Sequence, residues 1–267
     1  MFKKVTMASI FLMGLLICVH QSYAIIIGPS RLEVSMAKGE TAEIDYYAQN
    51  EAEAPIHVAV EAENWFKGTE AYDIKPEDWL ELSISEFDLE PMEIKKLKLI
   101  VKVPQDATGE MVAQIFFSSG VTGESVLPGA IRARLGAILY VAIEGTEIVD
   151  GHIEDIVVAR GIQGDEDALK IGVRVKNEGN VHLRPTGSVV IEDLNGEKIL
   201  EKNIASGRAV LPGQDFLYYA LPDKTKLSKG EYKVKATVKY GTLFKVEKTS
   251  TFEKLFKVGV DGEVIQK

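Results

Sequence analysis

Cysteine is almost absent from this sequence of 267 residues, because Cys18 is the only one. Cys18 falls in an apolar segment at the N-terminus, so a chain cleaved after that segment has no thiol. Such a chain forms no disulfide, offers no thiolate nucleophile and has no cysteine ligand for a metal. Its stability must therefore come from the packing of its side chains.

Histidine is also scarce, and its copies are scattered. Beyond residue 24 the sequence has only His57, His152 and His182, and no two of them have the spacing of a zinc or copper site. The motifs of phosphate-binding loops, serine hydrolases and zinc proteases are missing. A Ser–His–Asp site assembled from distant loops stays open, because such triads are defined in space. We predict a protein without enzymatic activity, cofactor or metal.

Basic residues are fewer than acidic ones. The sequence has 31 Lys and Arg against 40 Asp and Glu, which gives a net charge of −9. Residues 25–145 hold 21 acidic and 10 basic residues, whereas residues 146–267 hold 19 of each. Nucleic-acid binding needs a basic stripe, so we do not expect a nucleic-acid partner.

Residues 1–24 have the pattern of a secretory signal peptide. Lys3 and Lys4 give a basic start, residues 5–19 are uncharged and mostly apolar, and small residues precede a cleavage site after Ala24. The apolar run is shorter than the roughly 20 residues that a membrane span needs. We therefore predict an exported protein, periplasmic or secreted, with no stable membrane span.

Short strand patterns fill the rest of the chain, and no stretch of ten or more residues keeps a helical period. Turn residues separate the patterns. This predicts an all-β protein with two immunoglobulin-like β-sandwiches in tandem, over residues 25–145 and 146–267. The predicted strands are 31–36, 41–48, 56–62, 79–84, 94–103, 111–117 and 131–143, then 153–159, 169–176, 187–193, 198–204, 214–221, 232–240 and one near 242–249.

The two halves share several spacings, which favours two related sandwiches. Asn50 and Asn177 each follow a predicted strand, and a proline precedes a Gly-Glu pair by 18 residues in both halves. Tyr232, directly after the second Gly-Glu pair, suits a tyrosine corner, in which the hydroxyl pins the chain at a sheet crossing. An ordinary cross-strand tyrosine is the alternative.

Residues 130–143 contain the last predicted strand of the first sandwich, and its second half is apolar on both faces. The odd-numbered residues should face the core. The other face begins with Arg132 and Arg134 and continues with Ile138 and Tyr140. Something should cover this face: either the second sandwich, or a strand from another protein added by β-augmentation.

The first half resembles the periplasmic pilus-assembly chaperones and the related chaperone-like surface proteins of bacteria. The second half looks like a generic extracellular immunoglobulin-like domain. The resemblance rests on the signal peptide, residues 27–34, Asn50, residues 87–91, Val103-Pro104, residues 114–117 and the strand from Arg132 to Tyr140, and in the second half on residues 177–180, 185–187 and 193–196.

The resemblance implies two sandwiches set at an angle, with a partner subunit held in the cleft between them. In that family an arginine on the first strand and a basic residue on the last strand of the first sandwich grip the subunit's terminal carboxylate. Arg31 matches the first position, and Arg132 or Arg134 matches the second. Paired cations bind a carboxylate strongly where water is partly excluded. Solvated charges at strand ends are the alternative for each arginine.

The chain departs from the family pattern in two ways, since the loop before the last strand has few large apolar residues and the first half is strongly acidic. We predict a protein that binds a surface or secreted, pilus-like partner and assists its assembly through a strand edge. The alternative is a structural or adhesive immunoglobulin-like module of the cell envelope. The predicted binding residues are Arg31, Arg132, Arg134, Ile138 and Tyr140.

Overall fold

The computed structural model describes residues 25–65, 75–121, 133–163, 166–205, 207–220, 226–242 and 248–266. The predicted signal peptide and Arg132 lie outside these residues. Within them the chain is almost entirely β, with one short helix, α1 (Pro76–Trp79). No helix in these ranges is long and apolar enough to cross a membrane.

Among its described residues, the N-terminal sandwich has nine strands in two sheets. They are β1 (Ile25–Gly28), β2 (Arg31–Met36), β3 (Thr41–Asn50), β4 (Ile56–Asn64), β5 (Leu80–Leu82), β6 (Glu86–Leu89), β7 (Ile94–Lys102), β8 (Glu110–Val121) and β9 (Ala133–Ile143). One sheet has the order β1-β3-β7-β5 and the other the order β2-β9-β8-β4-β6. The pairing of β2 with β9 is parallel, whereas the other neighbours are antiparallel.

The C-terminal sandwich has eight strands in the part of it that the structure describes. They are β10 (Gly151–Gln163), β11 (Glu166–Asn177), β12 (Thr186–Asp193), β13 (Lys198–Asn203), β14 (Asp215–Tyr219), β15 (Gly230–Tyr240), β16 (Lys248–Val258) and β17 (Val264–Gln266). Its sheets have the orders β10-β11-β14 and β13-β12-β15-β16-β17. The prediction of an all-β protein with two immunoglobulin-like sandwiches is confirmed.

Each sandwich has its own core, because alternate residues of its strands point inward. β3 shows this alternation clearly from Ile44 to Ala48. Tyr46 and Phe117 are among the largest buried side chains of the first core, and Phe256 is the corresponding aromatic of the second. A third, smaller cluster joins the sandwiches: Val112, Tyr140 and Leu211 are buried together, with Ile138 and Ala209 packed against them.

The connection between β9 and β10 is tied to both sandwiches. The Thr146 hydroxyl accepts a hydrogen bond from the Gly109 amide and donates one to the Ile143 carbonyl, both at 2.8 Å. The Asn180 side chain donates to the Thr146 carbonyl at 2.9 Å and accepts from the Ile148 amide at 2.6 Å. Backbone polar groups of this connection therefore have specific partners in both halves.

Several predicted strands need correction. Sequence patterns missed β1 and β6, which have four residues each, and the three-residue β17. The strand predicted near residues 242–249 falls mostly on residues 243–247, which lie outside the described residues, and β16 runs from Lys248 to Val258. Four residues are too few for an alternation to stand out from neighbouring turns.

Candidate functional site

The register of β9 with its neighbours defines the outward face of the five-stranded sheet. β2 lies beside β9 with Arg31 opposite Ile138 and Glu33 opposite Tyr140. Because alternate residues of a strand share a face, all four side chains belong to one face of this sheet. The same face continues past Ile138 to Arg134 at the start of β9.

The second sandwich covers the apolar end of this face. Tyr140 is only 4% exposed, and its ring centroid lies 4.1 Å from that of His182. The guanidinium of Arg184 lies 5.2 Å from the same ring centroid, and Leu211 completes the contact. A partner has no access to Tyr140 in this arrangement. Ile138 lies at the margin of the cluster and is half-buried.

Four charged or titratable side chains meet in the contact between the sandwiches. Glu110 from β8 accepts two hydrogen bonds from His182: Nδ1 lies 2.7 Å from Oε1, and the backbone amide donates to Oε2 at 2.9 Å. His182 Nε2 lies 3.4 Å from Oε2 of Glu33, an ion-pair contact without a hydrogen bond. Arg184 Nε donates to Oε1 of Glu33 at 2.9 Å.

The pKa values in this network move in opposite directions for acid and base. Burial alone would raise the pKa of Glu33, but the interactions with His182 and Arg184 lower it to about 2. Burial alone would lower the pKa of His182, but the two carboxylates raise it above 6.5, while the charge of Arg184 opposes them. The network therefore favours an ionised Glu33 beside a protonated imidazole.

Arg31 lies at the open side of this network. Its side chain is 53% exposed, and Nε lies 3.5 Å from Oε1 of Glu33. Arg184 Nη2 lies 2.6 Å from the same oxygen. Two guanidinium groups, one from each sandwich, thus converge on Glu33. Sequence reasoning missed Arg184, because 151 residues separate it from Glu33 and no local pattern connects them.

Arg134 has a different environment. Its Nη2 lies 2.7 Å from Oε1 of Glu61 and 2.5 Å from Oε1 of Glu63. Its guanidinium carbon lies 3.5 Å from the ring centroid of Phe116, the geometry of a cation–π contact. Two carboxylates on β4 therefore already neutralise Arg134 and hold it over β8.

The structure does not bring Arg31 and Arg134 together. Arg31 lies opposite Ile138, which is four residues further along β9 than Arg134. At the rise of an extended strand this is a separation of about 13 Å along the strand. The side chains also have different partners, since Arg31 contacts Glu33 whereas Arg134 contacts Glu61 and Glu63.

One edge of β9 is open over residues 133–137. The Ile138 amide donates to the Ser30 carbonyl at 3.0 Å, and the pairing with β2 begins there. Because backbone polar groups alternate between the two sides of a strand, those of Arg134 and Gly136 point to the same side as that of Ile138. Among the described residues no strand is paired with that side at residues 133–137.

The glycine in this edge has a packing role. A Cβ on Gly136 would lie 2.1 Å from the side-chain nitrogen of Gln114 on β8. The amide side chain of Gln114 thus lies across Gly136 on the outward face. A flat surface results between Ile138 and Arg134.

No metal centre is formed by the part of the chain that the structure describes, where no group of three or more His, Cys, Asp or Glu side chains could hold an ion. His57 and His152 lie apart, each paired with one exposed carboxylate, Asp88 and Glu178 respectively.

No family model and no curated protein matches this sequence. Solved structures of fimbrial chaperones are similar to this chain. The class 5 fimbriae chaperone CfaA is 12% identical, with 87% of this chain and 98% of that chain covered and a TM-score of 0.47. The E. coli chaperone DraB is 13% identical, with 86% and 98% covered and a TM-score of 0.43. A Salmonella enterica complex of the SafA pilin with the SafB chaperone gives 14% identity, 87% and 97% coverage and a TM-score of 0.45.

Proposed function

We propose that this chain is an exported, non-enzymatic protein that holds an extended segment of a partner protein along the open edge of β9 and assists the assembly of that partner. The proposed partner is a pilus-like or other surface subunit. The observation that carries the proposal is that no described strand pairs with one side of residues 133–137, an edge that leads directly to Arg31.

The open edge offers backbone groups to a further strand. The amide and carbonyl groups of Arg134 and Gly136 point away from β8, so an added strand can form a ladder with them. Ile138 is partly buried beside this edge and offers apolar surface to a side chain of the partner, whereas the Phe116 ring lies under the Arg134 guanidinium. An added strand would also cover an edge that is otherwise available for uncontrolled pairing.

Arg31 suits a terminal carboxylate of the partner. Its guanidinium is half exposed, and the contact of Nε with Glu33 leaves other N–H donors directed to solvent. A strand that runs along residues 133–137 towards Ile138 ends beside Arg31, because the two lie opposite each other. A carboxylate there would form charge-assisted hydrogen bonds at a partly desolvated position. Arg134 lies at the far end of the open edge, where it pairs with Glu61 and Glu63, and would not contact the same carboxylate.

The test uses synthetic peptides of ten residues with alternating apolar and polar positions, made with either a free C-terminal carboxylate or a C-terminal amide. We expect the free carboxylate to bind about tenfold more tightly, which corresponds to one charge-assisted contact. Arg31→Ala should remove that difference. Lys38→Ala, at an exposed turn of the same sandwich, is the matched control and should retain it. Equal binding of both peptides to the unaltered protein would refute the carboxylate contact.

A test of the edge itself uses Gly136→Pro, which removes an amide that faces the open side. Gly136→Ala is the control and should retain binding, because it places a Cβ against Gln114 but keeps that amide. We expect the peptide to protect the amides of residues 133–137 from hydrogen exchange in the unaltered protein, and Gly136→Pro to lose binding of both peptides. Protection elsewhere, with the edge unchanged, would contradict the proposal.

A structural or adhesive module of the cell envelope is the second candidate. The burial of Tyr140 by the C-terminal sandwich favours it, because the chain itself covers much of the apolar face that a partner was predicted to cover. Such a module would stay at the cell surface and bind independently of Arg31. A co-purifying subunit that becomes unstable when this protein is removed would instead support the assembly role.

A further inference from the structure

His182 is the best enclosed titratable base among the described residues, and its surroundings come mostly from the other sandwich. Its side chain is 2% exposed, whereas those of His57 and His152 are about half exposed. Glu33 from β2 and Glu110 from β8 face its two ring nitrogens. Tyr140 from β9 lies against its ring.

We propose that His182 is a pH-sensitive latch between the two sandwiches: the protonated imidazole holds them together, and its deprotonation loosens the contact and uncovers an apolar surface. This goes beyond the proposed binding of a partner at the edge of β9, and it concerns how the two halves are held.

The charges around the ring support this role. When His182 is protonated, the two carboxylates of Glu33 and Glu110 are balanced by two cations, His182 and Arg184. When His182 is neutral, one of the two buried carboxylates has no buried cation to balance its charge. Arg31 reaches the group only from its exposed side, at 3.5 Å from Glu33. A buried charge without a partner is costly, so the neutral state destabilises the contact.

The direction of the pH effect follows from the pKa of the imidazole. Folding raises the pKa of His182 above its ordinary value of 6.5. The folded state therefore holds the proton more tightly than the unfolded state does. The stabilisation is complete below pH 6.5 and is lost as pH rises through the higher pKa of the folded state.

Loosening of this contact would have a defined structural result. Val112, Tyr140 and Leu211 form the small apolar cluster directly beside the latch, and they belong to both sandwiches. Separation of the sandwiches at His182 would expose this cluster next to the open edge of β9. The pH of the surroundings would then set how much apolar surface is exposed beside that edge.

The first experiment titrates the imidazole groups of the full protein by NMR. We expect His182 to show a pKa above 6.5, and Glu110→Gln to shift that pKa downward because one carboxylate is lost. The same substitution should leave the titrations of His57 and His152 unchanged. A pKa of His182 at or below 6.5 in the unaltered protein would overturn the proposal, whatever the variants do.

The second experiment follows the backbone amide of His182, which donates to the Glu110 carboxylate across the contact. After correction for the intrinsic pH dependence of exchange, its protection should fall at least tenfold between pH 6 and pH 9. The Gly179 amide, which donates to the Asn177 side chain within the C-terminal sandwich, is the matched control and should stay protected. Equal changes at both amides would contradict a latch.

A third measurement separates the latch from general loss of stability. Urea midpoints of the unaltered protein should fall from pH 6 to pH 9, and His182→Gln should remove most of that fall. His152→Gln, at an exposed histidine paired with Glu178, should leave the fall unchanged. The same pH dependence in His182→Gln as in the unaltered protein would reject His182 as its source.

Discussion

Asn50 and Asn177 make the same set of hydrogen bonds in the two sandwiches. Both side chains are fully buried at the end of a strand. Asn50 donates to the carbonyls of Ala54 and Leu89 and accepts from the Ala52 amide. Asn177 donates to the carbonyls of Val181 and Val210 and accepts from the Gly179 amide. Each asparagine thus fixes the loop that follows its strand and joins it to a distant segment.

We expect Asn177→Ala to destabilise the protein by about 1–3 kcal/mol, because it leaves buried backbone groups without partners. Chemical denaturation at pH 7 measures this as a lower midpoint. Asn203, an exposed asparagine at the end of β13, provides the control, and Asn203→Ala should change the free energy of unfolding by less than about 0.5 kcal/mol. Similar losses for the two variants would show that the buried hydrogen bonds are not the cause.

The repeated asparagine was visible in the sequence, but its role was not. Spacing alone placed Asn50 and Asn177 after corresponding strands, since a polar residue that follows an apolar alternation marks the end of a strand. The carbonyls of Leu89 and Val210 that they bind lie 39 and 33 residues away. Contacts over such distances depend on how the sheets pack, which no local pattern encodes.

The structure confirms that Tyr232 forms the predicted tyrosine corner. Its hydroxyl donates to the Ser228 carbonyl at 2.8 Å, and its ring stacks on Phe256. Tyr232→Phe keeps the ring and removes the hydrogen bond, so we expect a loss of about 1 kcal/mol in the free energy of unfolding. Tyr219→Phe, at an exposed position on β14, should cost less than about 0.5 kcal/mol. Equal stability of Tyr232→Phe and the unaltered protein would argue against a pinned corner.

The outward face of β2 and β9 shows what could be predicted from the sequence and what could not. The bounds of β2 agree with the prediction at both ends, and residues 133–143 of the last predicted strand form β9. Alternation could assign Ile138 and Tyr140 to one face, but it could not say what covers them. His182 lies 72 residues from Glu110, so the network that buries Tyr140 has no signature in either segment alone.

Glu33 provides a prediction for acid solution. Its pKa falls from an ordinary value of 4.5 to about 2 in the folded protein. The unfolded chain therefore takes up a proton at Glu33 before the folded chain does as pH falls. The resulting stabilisation is complete above pH 4.5 and is lost between pH 4.5 and about 2. We expect Glu33→Gln to be less stable at pH 7 and to lose less stability on acidification, as measured by urea midpoints.

Glu81 on β5 is the control for that experiment, because it is an exposed carboxylate paired with Lys102 on β7 of the same sheet. Glu81→Gln should leave both the midpoint at pH 7 and its fall in acid close to those of the unaltered protein. The pKa of His182 lies above 6.5, so its imidazole stays protonated between pH 4.5 and 2, where Glu33 titrates, and does not contribute to that part of the fall. If Glu33→Gln showed the full acid sensitivity of the unaltered protein, other carboxylates would have to account for it.

Arg31→Ala and Arg134→Ala should have opposite effects on peptide binding and on the thermal midpoint. Arg134 binds two carboxylates and lies on Phe116, so Arg134→Ala should lower the thermal midpoint. The decrease should be much smaller than that caused by Asn177→Ala, because these contacts are exposed. It should keep the preference for peptides with a free carboxylate, because the carboxylate would lie about 13 Å away beside Arg31. Arg31→Ala should leave the midpoint nearly unchanged and remove that preference. The reverse result, with Arg134→Ala removing the preference and Arg31→Ala retaining it, would move the carboxylate contact to the start of β9.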